Sequence, residues 1–179
     1  GCEPKAHTAP GQTSDLVQIN SAQGHKHGPD EGGHNHGAAR LNVVLDGDAL
    51  SVQIQIAALD AVGFEQPAQT DAQQAALAKA LKSLQSPDVL FSLPMDASCT
   101  LTQGEVKTAL LNTPSSAIEH ADFDVQYHWQ CTKPQALHGL QIRLFSQFPA
   151  LQKINGQYVV HAKQGARVLI PGDKQLEFE

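Results

Sequence analysis

The chain has 179 residues and a net charge of −6 at pH 7, and 41% of its residues are hydrophobic. This length is typical of one folded domain, or of one domain with a tail, and the hydrophobic content suffices for a core. The lack of a basic patch argues against nucleic-acid binding, and no apolar run is long enough to span a bilayer.

Residues 1–23 are rich in Pro, Gly, Ser and Thr, a composition that favours a flexible tether over a packed structure. They begin with Gly1-Cys2-Glu3-Pro4, which resembles the junction left when a bacterial lipoprotein signal is cleaved. Lipidation of Cys2 would then tether the chain to a membrane. The alternative is a free cysteine that follows a cloning scar and has no function.

Residues 24–37 form a His-rich segment with two His-x-His pairs, two carboxylates and several glycines. Side chains at positions i and i+2 of an extended chain point the same way, so each pair can direct two imidazoles at one ion. Imidazole is a good ligand for zinc, copper and nickel. We therefore predict a metal-gathering loop; the alternatives are a solvated linker and a tag remnant, and the spacing of the histidines argues against a tag. The four histidines are His25, His27, His34 and His36.

Residues 38–179 are predicted to form a β-rich domain that begins with a hairpin. Asp46-Gly47 lies between two apolar runs, which is a hairpin signal. The second run, residues 50–56, alternates between apolar and polar side chains, as a strand with one solvated face does. Residues 57–69 are predicted to be irregular.

One helix is predicted, over residues 71–84. Thr70 and Gln73 have the spacing of a capping box. Apolar side chains recur along the helix at a spacing of three or four residues and form a stripe on one face, which favours packing on a sheet. The stripe consists of Leu77, Leu81 and Leu84.

Further short strands are predicted after this helix, and the clearest is residues 121–131, which alternate over their whole length. Many short strands, one long helix and no regular alternation of strands and helices predict a mainly β fold. We expect an antiparallel β-sandwich or barrel-like sheet with one packed α-helix. The other predicted strands are residues 99–101, 105–111, 140–145, 156–162, 165–170 and 176–178, with a helical turn at residues 134–137 and a short apolar run at residues 89–93.

Cys99 and Cys131 each lie at the end of a β-like segment, and Cys131 falls on the apolar face of its strand. We predict a disulfide between them, which implies an oxidising compartment. The alternatives are two buried free thiols and Cys–His zinc ligation, although no C-x-x-C motif occurs.

Five groups of short segments carry a resemblance to a known family through their order along the chain. They are His36-Gly37 with Leu41-Asn42-Val43, Val62-Gly63-Phe64-Glu65, Leu90-Phe91-Ser92-Leu93-Pro94 with Cys99, His120-Ala121-Asp122 with Cys131, and Leu144-Phe145 with Phe148-Pro149. In this order they resemble the ZrgA-type family of periplasmic zinc-uptake proteins of Gram-negative bacteria. The likeness covers residues 24–179 and implies a binding protein that assists a zinc importer of the inner membrane, not an enzyme. Gln66 and residues 38–40 stand where relatives often carry histidines.

His120 is the predicted metal ligand of the folded domain. Glu119, Asp122 and Asp124 flank it, and a neighbouring carboxylate can orient a metal-bound imidazole. The resemblance supports the same residue, and the alternative is an exposed histidine at the start of a strand. Asp122 shares a strand face with His120 and is a second candidate, whereas Glu65 is suggested by its family position alone.

The remaining histidines, His128, His138 and His161, are predicted to be structural or solvent-facing, and His7 lies in the predicted tether. Catalytic signatures such as G-x-S-x-G, H-E-x-x-H and the P-loop do not occur in the sequence. An enzyme is therefore not predicted.

We thus expect a periplasmic, monomeric protein that binds Zn²⁺ and passes it to components of an inner-membrane zinc transporter. His34, His36 and His120 are the preferred ligands, and His25 and His27 would catch and deliver ions. The alternatives are a copper or nickel chaperone or sensor, and an interaction module whose His-rich loop is incidental. A single methionine, in the whole chain, argues against a Cu(I) carrier.

Overall fold

The computed structural model describes residues 36–111 and 120–179. Over these residues the chain forms strands, four short or medium α-helices and two single 3₁₀ turns. The strands are β1 (Ala38–Asp46), β2 (Ala49–Ala57), β3 (Phe91–Ser92), β4 (Cys99–Thr108), β5 (Asp122–Cys131), β6 (Gly139–Ile142), β7 (Lys153–Val160), β8 (Lys163–Leu169) and β9 (Gln175–Glu177). The helices are α1 (Ala58–Val62), α2 (Asp71–Leu84), α3 (Pro87–Leu90) and α4 (Leu144–Gln147), and the 3₁₀ turns are Met95–Ala97 and Pro134–Ala136.

The strands form two sheets, a six-stranded sheet in the order β4-β5-β2-β1-β7-β8 and a three-stranded sheet in the order β3-β6-β9. The prediction of a mainly β fold with a packed helix is confirmed. All neighbouring strands run antiparallel except β1 and β7, which are parallel. This parallel pair was not predicted, because more than a hundred residues separate its strands and no local pattern joins them.

The first hairpin follows directly from its turn sequence. Asp46 pairs with Ala49, so Gly47 and Asp48 form a two-residue turn, and Gly47 takes the left-handed φ of +62° that such a turn requires. Every second side chain of β1 and β2 is buried, including Leu41 and Ile54, and those between them face solvent to a greater degree. The predicted hairpin is therefore confirmed.

The core lies against one face of the six-stranded sheet, which α2 and the three-stranded sheet cover. Leu84 of α2, Phe123 of β5 and Leu176 of β9 have no exposed surface and belong to the same apolar cluster. The opposite face of the sheet carries mostly polar side chains. The six-stranded sheet therefore has one buried face and one solvent-exposed face, as the alternating sequence patterns require.

The long helix α2 begins and ends where the sequence predicts. The Thr70 hydroxyl accepts a hydrogen bond from the Gln73 N–H at 3.1 Å, and the Gln73 side chain accepts one from the Thr70 N–H at 3.3 Å. This capping box satisfies two N–H groups that the first turn of a helix leaves unpaired. Leu77 and Leu84 of the apolar stripe are buried, so the helix packs on the sheet through that stripe.

Several local predictions were wrong. The two strands predicted over residues 99–101 and 105–111 form the single strand β4. Residues 58–62, which were expected to be irregular, form α1, because the Gly63 N–H closes the helix on the Leu59 carbonyl with Gly63 at a φ of +86°. The strand predicted over residues 140–145 ends at Ile142, and α4 follows. The β7–β8 turn lies at His161 and Ala162, both with positive φ, and not at residues 163–164.

Tyr127 links β5 to α2 and makes the stability of the fold sensitive to alkaline pH. Its hydroxyl donates a hydrogen bond to the Leu84 carbonyl, and its side chain is 1% exposed. Burial raises the pKa of Tyr127 above its ordinary value near 10. The native state therefore holds this proton more tightly than the unfolded chain, so its contribution is fully present below about pH 10 and is lost as the pH rises further.

A Tyr127→Phe variant is expected to lose about 1 kcal/mol of unfolding free energy at pH 8, because one buried hydrogen bond is removed. Between pH 9.5 and 11, however, its stability should fall less steeply than that of the parent protein. Urea unfolding curves at several pH values check this expectation. Equal slopes for the two proteins would show that another group causes the alkaline loss.

Candidate metal-binding site

Three segments that carry predicted ligands meet at one edge of the six-stranded sheet, where β1 and β5 begin and β2 ends. Ala57, the last residue of β2, pairs with Asp122, the first residue of β5. His120 lies two residues before the start of β5, and His36 lies two residues before the start of β1. We call this end of the sheet, with α1 and Glu65 beside it, the His120 edge.

His120 and Glu65 form a pair at this edge. The Nδ1 atom of His120 lies 3.6 Å from Oε1 of Glu65, and the two side chains are 50% and 25% exposed, respectively. A carboxylate beside an imidazole can fix the orientation of the ring or bind the same ion. The pair is accessible from solvent, so an ion can reach it without any rearrangement of the core.

The backbone at the two ends of α1 explains why Glu65 reaches His120. The N–H of Ala58, the first residue of α1, donates a 2.8 Å hydrogen bond to the carbonyl of Ala121, which follows His120. Gly63 then ends α1 in the left-handed conformation and turns the chain. Glu65 follows two residues later, so one hydrogen bond and one glycine cap hold the carboxylate near the imidazole.

Asp122 contributes a further carboxylate at the start of β5. Its Oδ2 atom accepts a hydrogen bond from the Gln55 Nε2 atom at 3.3 Å, across the β2–β5 pair. The side chain is partly buried. Asp122 was predicted as a candidate ligand because it follows His120 by two residues. Its contact with Gln55 could not be seen in the sequence.

His36 is exposed and lies immediately before a firmly held residue. The Gly37 N–H donates a 2.8 Å hydrogen bond to Oδ2 of Asp60, in the middle of α1. The Gly37 carbonyl accepts hydrogen bonds from the N–H groups of Gln152 at 2.7 Å and Lys153 at 3.0 Å. Asp60 was missed by the sequence analysis, because its segment was taken as irregular; the glycine after the apolar run 57–62 was the available signal for a helix end.

The other described histidines lie away from the His120 edge or make structural contacts. Nδ1 of His128 and Oγ of Ser51 are 2.9 Å apart on the solvated sheet face. Nε2 of His161 donates a 2.9 Å hydrogen bond to the Leu137 carbonyl. His138 is exposed near β6. These positions agree with the structural or solvent-facing roles predicted for the three residues.

No group of three or more His, Cys, Asp or Glu side chains within residues 36–111 and 120–179 lies close enough to hold a metal ion. Zinc in proteins usually takes four ligands, of which three come from the protein at an open site. His25, His27, His34 and the lipidation candidate Cys2 lie outside the described residues. The described part thus supplies the His120–Glu65 pair, and the complete ligand set stays a prediction.

The predicted disulfide is confirmed. Cys99 and Cys131 face each other in the β4–β5 register and are bonded, with 3.9 Å between their Cα atoms. They lie at the far end of β5 from His120, and a ten-residue strand is about 33 Å long. The bond also removes both thiolates from zinc ligation, so the Cys–His alternative is excluded.

A polar hollow of about 370 Å³ lies on the solvated face of the six-stranded sheet, across β4, β5, β2 and β1. Its carboxylates, Glu105 and Asp124, are accompanied by the cations Arg40 and Lys107, and its lining includes no histidine or cysteine. This donor set does not fit zinc, which prefers nitrogen and sulfur ligands with carboxylates. The hollow is therefore not the metal site.

Among the described residues, none of the helices has the length and apolar character needed to cross a membrane.

Comparisons with known proteins bear on the family to which the chain belongs. A comparison with curated proteins gave no match. The family described as "ZrgA family zinc uptake protein" matches residues 33–178, which is most of the chain and includes the whole His120 edge. The chain therefore belongs to the ZrgA family of zinc uptake proteins.

Proposed function

We propose that this protein works in the periplasm, where it captures Zn²⁺ and passes it to an import system of the inner membrane. Membership of a zinc-uptake family supports a role in zinc uptake. The Cys99–Cys131 disulfide supports an oxidising compartment such as the periplasm. The observation that carries the proposal is the solvent-accessible His120–Glu65 pair at the edge where the His-rich segment enters the domain.

The proposed site combines ligands from the domain with ligands from the segment before it. His120 would supply an anchored imidazole, with Glu65 as a ligand or orienting group, and the ligand set would be completed by His36 and His34, which precede β1 in the sequence. Asp122 adds a carboxylate at the same edge, where Gln55 already holds one of its oxygens. Imidazole and carboxylate together form a donor set that suits zinc.

His25 and His27 are proposed to gather ions and bring them to this site. His25 lies twelve residues before Gly37, so an extended chain allows it to reach about 40 Å from the edge. Lipidation of Cys2 would tether the protein to a membrane. Ion transfer needs ligands that can leave without unfolding the domain, and exposed imidazoles at a sheet edge meet this requirement.

The protein is proposed to bind and transfer its ion without chemical turnover. Membership of an uptake family supports a binding role, and the zinc ion is cargo in this scheme. A hydrolase would hold a zinc-bound water in a fixed site with three protein ligands. The proposed scheme needs no such water, because the ion is only bound and released.

The proposal predicts a growth defect under zinc limitation. A strain that lacks the protein should grow poorly in medium treated with a zinc chelator, and the native chain should restore growth. A chain with His120→Ala and Glu65→Gln should restore it only in part, because the anchored half of the site is lost. A matched chain with His138→Ala and Glu105→Gln removes the same groups elsewhere and should restore growth fully.

Two results would contradict the proposal. Normal growth of the deletion strain at limiting zinc would argue against an uptake role. A defect that copper or nickel relieves, and zinc does not, would favour a chaperone for those metals. In vitro affinity does not separate these cases, because Cu²⁺ binds such ligands more tightly than Zn²⁺ whatever the physiological cargo.

A further inference from the structure

The point at which the His-rich segment enters the domain is fixed by three hydrogen bonds to a single residue. The Gly37 N–H is bound to Asp60, and the Gly37 carbonyl is bound to the N–H groups of Gln152 and Lys153. We call these contacts the Gly37 latch. Gly37 itself is buried, although His36 immediately before it is exposed. The backbone is therefore buried and hydrogen-bonded at Gly37, whereas the preceding residue, His36, is exposed to solvent.

The backbone conformation at residue 37 favours glycine. Its φ is +80°, a conformation that other residues adopt only at a cost. A Cβ atom at this position would lie 3.3 Å from Cγ of Gln152, which is a tight contact. A side chain here would thus strain the backbone at Gly37 and displace the side chain of Gln152, whose N–H belongs to the latch.

Asp60 is the one charged side chain classed as buried within residues 36–111 and 120–179, with 9% exposure. Removing a carboxylate from water is costly, and a hydrogen bond from a backbone N–H returns only part of that cost. An apolar residue at position 60 would avoid this cost, but it would leave the N–H of the buried Gly37 without its acceptor. The carboxylate therefore serves to hold Gly37 in place.

The latch and His120 are attached to the same short helix. Asp60 binds Gly37, and Ala58, two residues earlier in α1, binds the carbonyl of Ala121. Two residues correspond to about 3 Å along a helix axis. Gly37, next to His36, and Ala121, next to His120, are thus both hydrogen-bonded to α1. The helix therefore sets the separation of the two segments that carry these histidines.

We propose that Asp60 is a positioning residue for metal binding, which holds the entry of the His-rich segment beside His120 through the Gly37 latch. This inference rests on the proposed function, in which His36 binds the same ion as His120. His36 is bonded directly to Gly37, so the Cα atoms of the two residues are about 3.8 Å apart and fixing Gly37 limits how far His36 can move. The latch thereby raises the effective concentration of the His36 imidazole near His120.

The test uses the full chain and compares Asp60→Ala with Asp60→Asn. Zinc affinity is measured by competition with a chromophoric chelator, and protection of the Gly37 amide is measured by hydrogen exchange. Asp60→Ala should weaken zinc binding about tenfold, as the loss of a supporting contact around a metal site typically does. Asp60→Asn should bind zinc within about threefold of the native chain, because the amide oxygen still accepts from Gly37.

Gly37→Ala disturbs the same contact from the other side and should also weaken zinc binding about tenfold. Its matched control is Gly47→Ala, which has a similar positive φ of +62° in the β1–β2 turn but no atom within 4 Å of the added carbon. Tyr127→Phe is a second control, since it removes a buried hydrogen bond to a backbone carbonyl on α2. Both controls should keep native zinc affinity even where they lower the melting temperature.

The outcomes separate this inference from the proposed function. If Asp60→Ala loses protection at Gly37 but binds zinc as tightly as the native chain, the positioning role is overturned and zinc capture stands. If the native chain itself binds no zinc, the proposed function fails first. If Asp60→Ala does not fold, Gly37→Ala decides, and native affinity in that variant overturns the inference. Equal loss in Gly47→Ala would also overturn it, because the effect would then reflect stability alone.

Discussion

Replacing His34, His36 and His120 by alanine together is expected to lower the affinity for Zn²⁺ at least about 100-fold. Removing a residue that merely supports a metal ligand typically costs 10- to 100-fold in affinity, so the loss of three direct ligands should exceed the upper end of that range. His25 and His27 would remain, but they form one pair on a long segment and cannot complete a four-ligand site. Isothermal titration calorimetry of the native and triple-variant proteins measures the difference.

The matched control removes three imidazoles elsewhere, through His128→Gln, His138→Ala and His161→Asn. Asparagine is chosen for His161 because that residue has a φ of +54°, which asparagine tolerates. This protein should bind zinc with native affinity. If the control and the triple variant lose affinity equally, binding depends on histidine number and not on the His120 edge. Unchanged affinity in the triple variant would refute the ligand assignment outright.

Single variants measure how much of the loss in zinc affinity comes from His120 and how much comes from the histidines that precede β1. His120→Ala should cost more than His34→Ala, because His120 is held beside Glu65 at 3.6 Å and needs little ordering when it binds the ion. A ligand that is already held in place keeps more of its interaction energy, because less conformational entropy is lost when the ion binds. The opposite ranking would indicate that the segment, and not the domain, holds the main site.

Local sequence signals predicted the elements that depend on neighbours in the chain. The Asp46-Gly47 turn fixes the first hairpin, and the Thr70–Gln73 capping box fixes the start of α2. The alternation along β5 placed Cys131 on the core face, which supported the disulfide before any contact was known. Periodicity and turn chemistry suffice for such features because the deciding interactions span only a few residues.

The contacts that build the His120 edge are long-range, and the residue pattern alone could not predict them. Gly37 and Asp60 are 23 residues apart, and their hydrogen bond depends on the path of β1, β2 and α1 together. Glu65 was a candidate only through the family resemblance, since nothing in its neighbourhood marks a ligand. His120 was suggested by its acidic neighbours, but the carboxylate that pairs with it is 55 positions earlier in the chain.

The parallel β1–β7 pair shows the same limit at the level of the fold. Both strands have ordinary alternating patterns, and either could lie next to several partners. Their pairing also places Ala38 opposite Lys153, next to the latch residue Gly37. A feature of topology that the sequence did not indicate is thus part of what holds the entry of the His-rich segment.

Removing the disulfide with Cys99→Ala and Cys131→Ala is expected to lower the free energy of unfolding by about 3–4 kcal/mol. The bond joins residues 32 positions apart, and closing a loop of this length restricts the unfolded chain by that amount in the chain-entropy model. Cys131 is fully buried, so the smaller alanine adds a modest packing loss. The melting temperature should fall by about 10 °C for a domain of this size.

Zinc affinity at 20 °C should stay within about twofold of the native value in the same double variant, because the bond lies at the far end of β5 from His120. Cys2→Ala is the matched control, since it removes a cysteine that is not in the bond, and it should change neither property. Native protein treated with a reductant should reproduce the stability loss of the double variant. An unchanged unfolding energy would show that the bond restricts the unfolded chain little, whereas a large loss of zinc affinity in the folded variant would show that the bond supports the metal site across the length of the sheet.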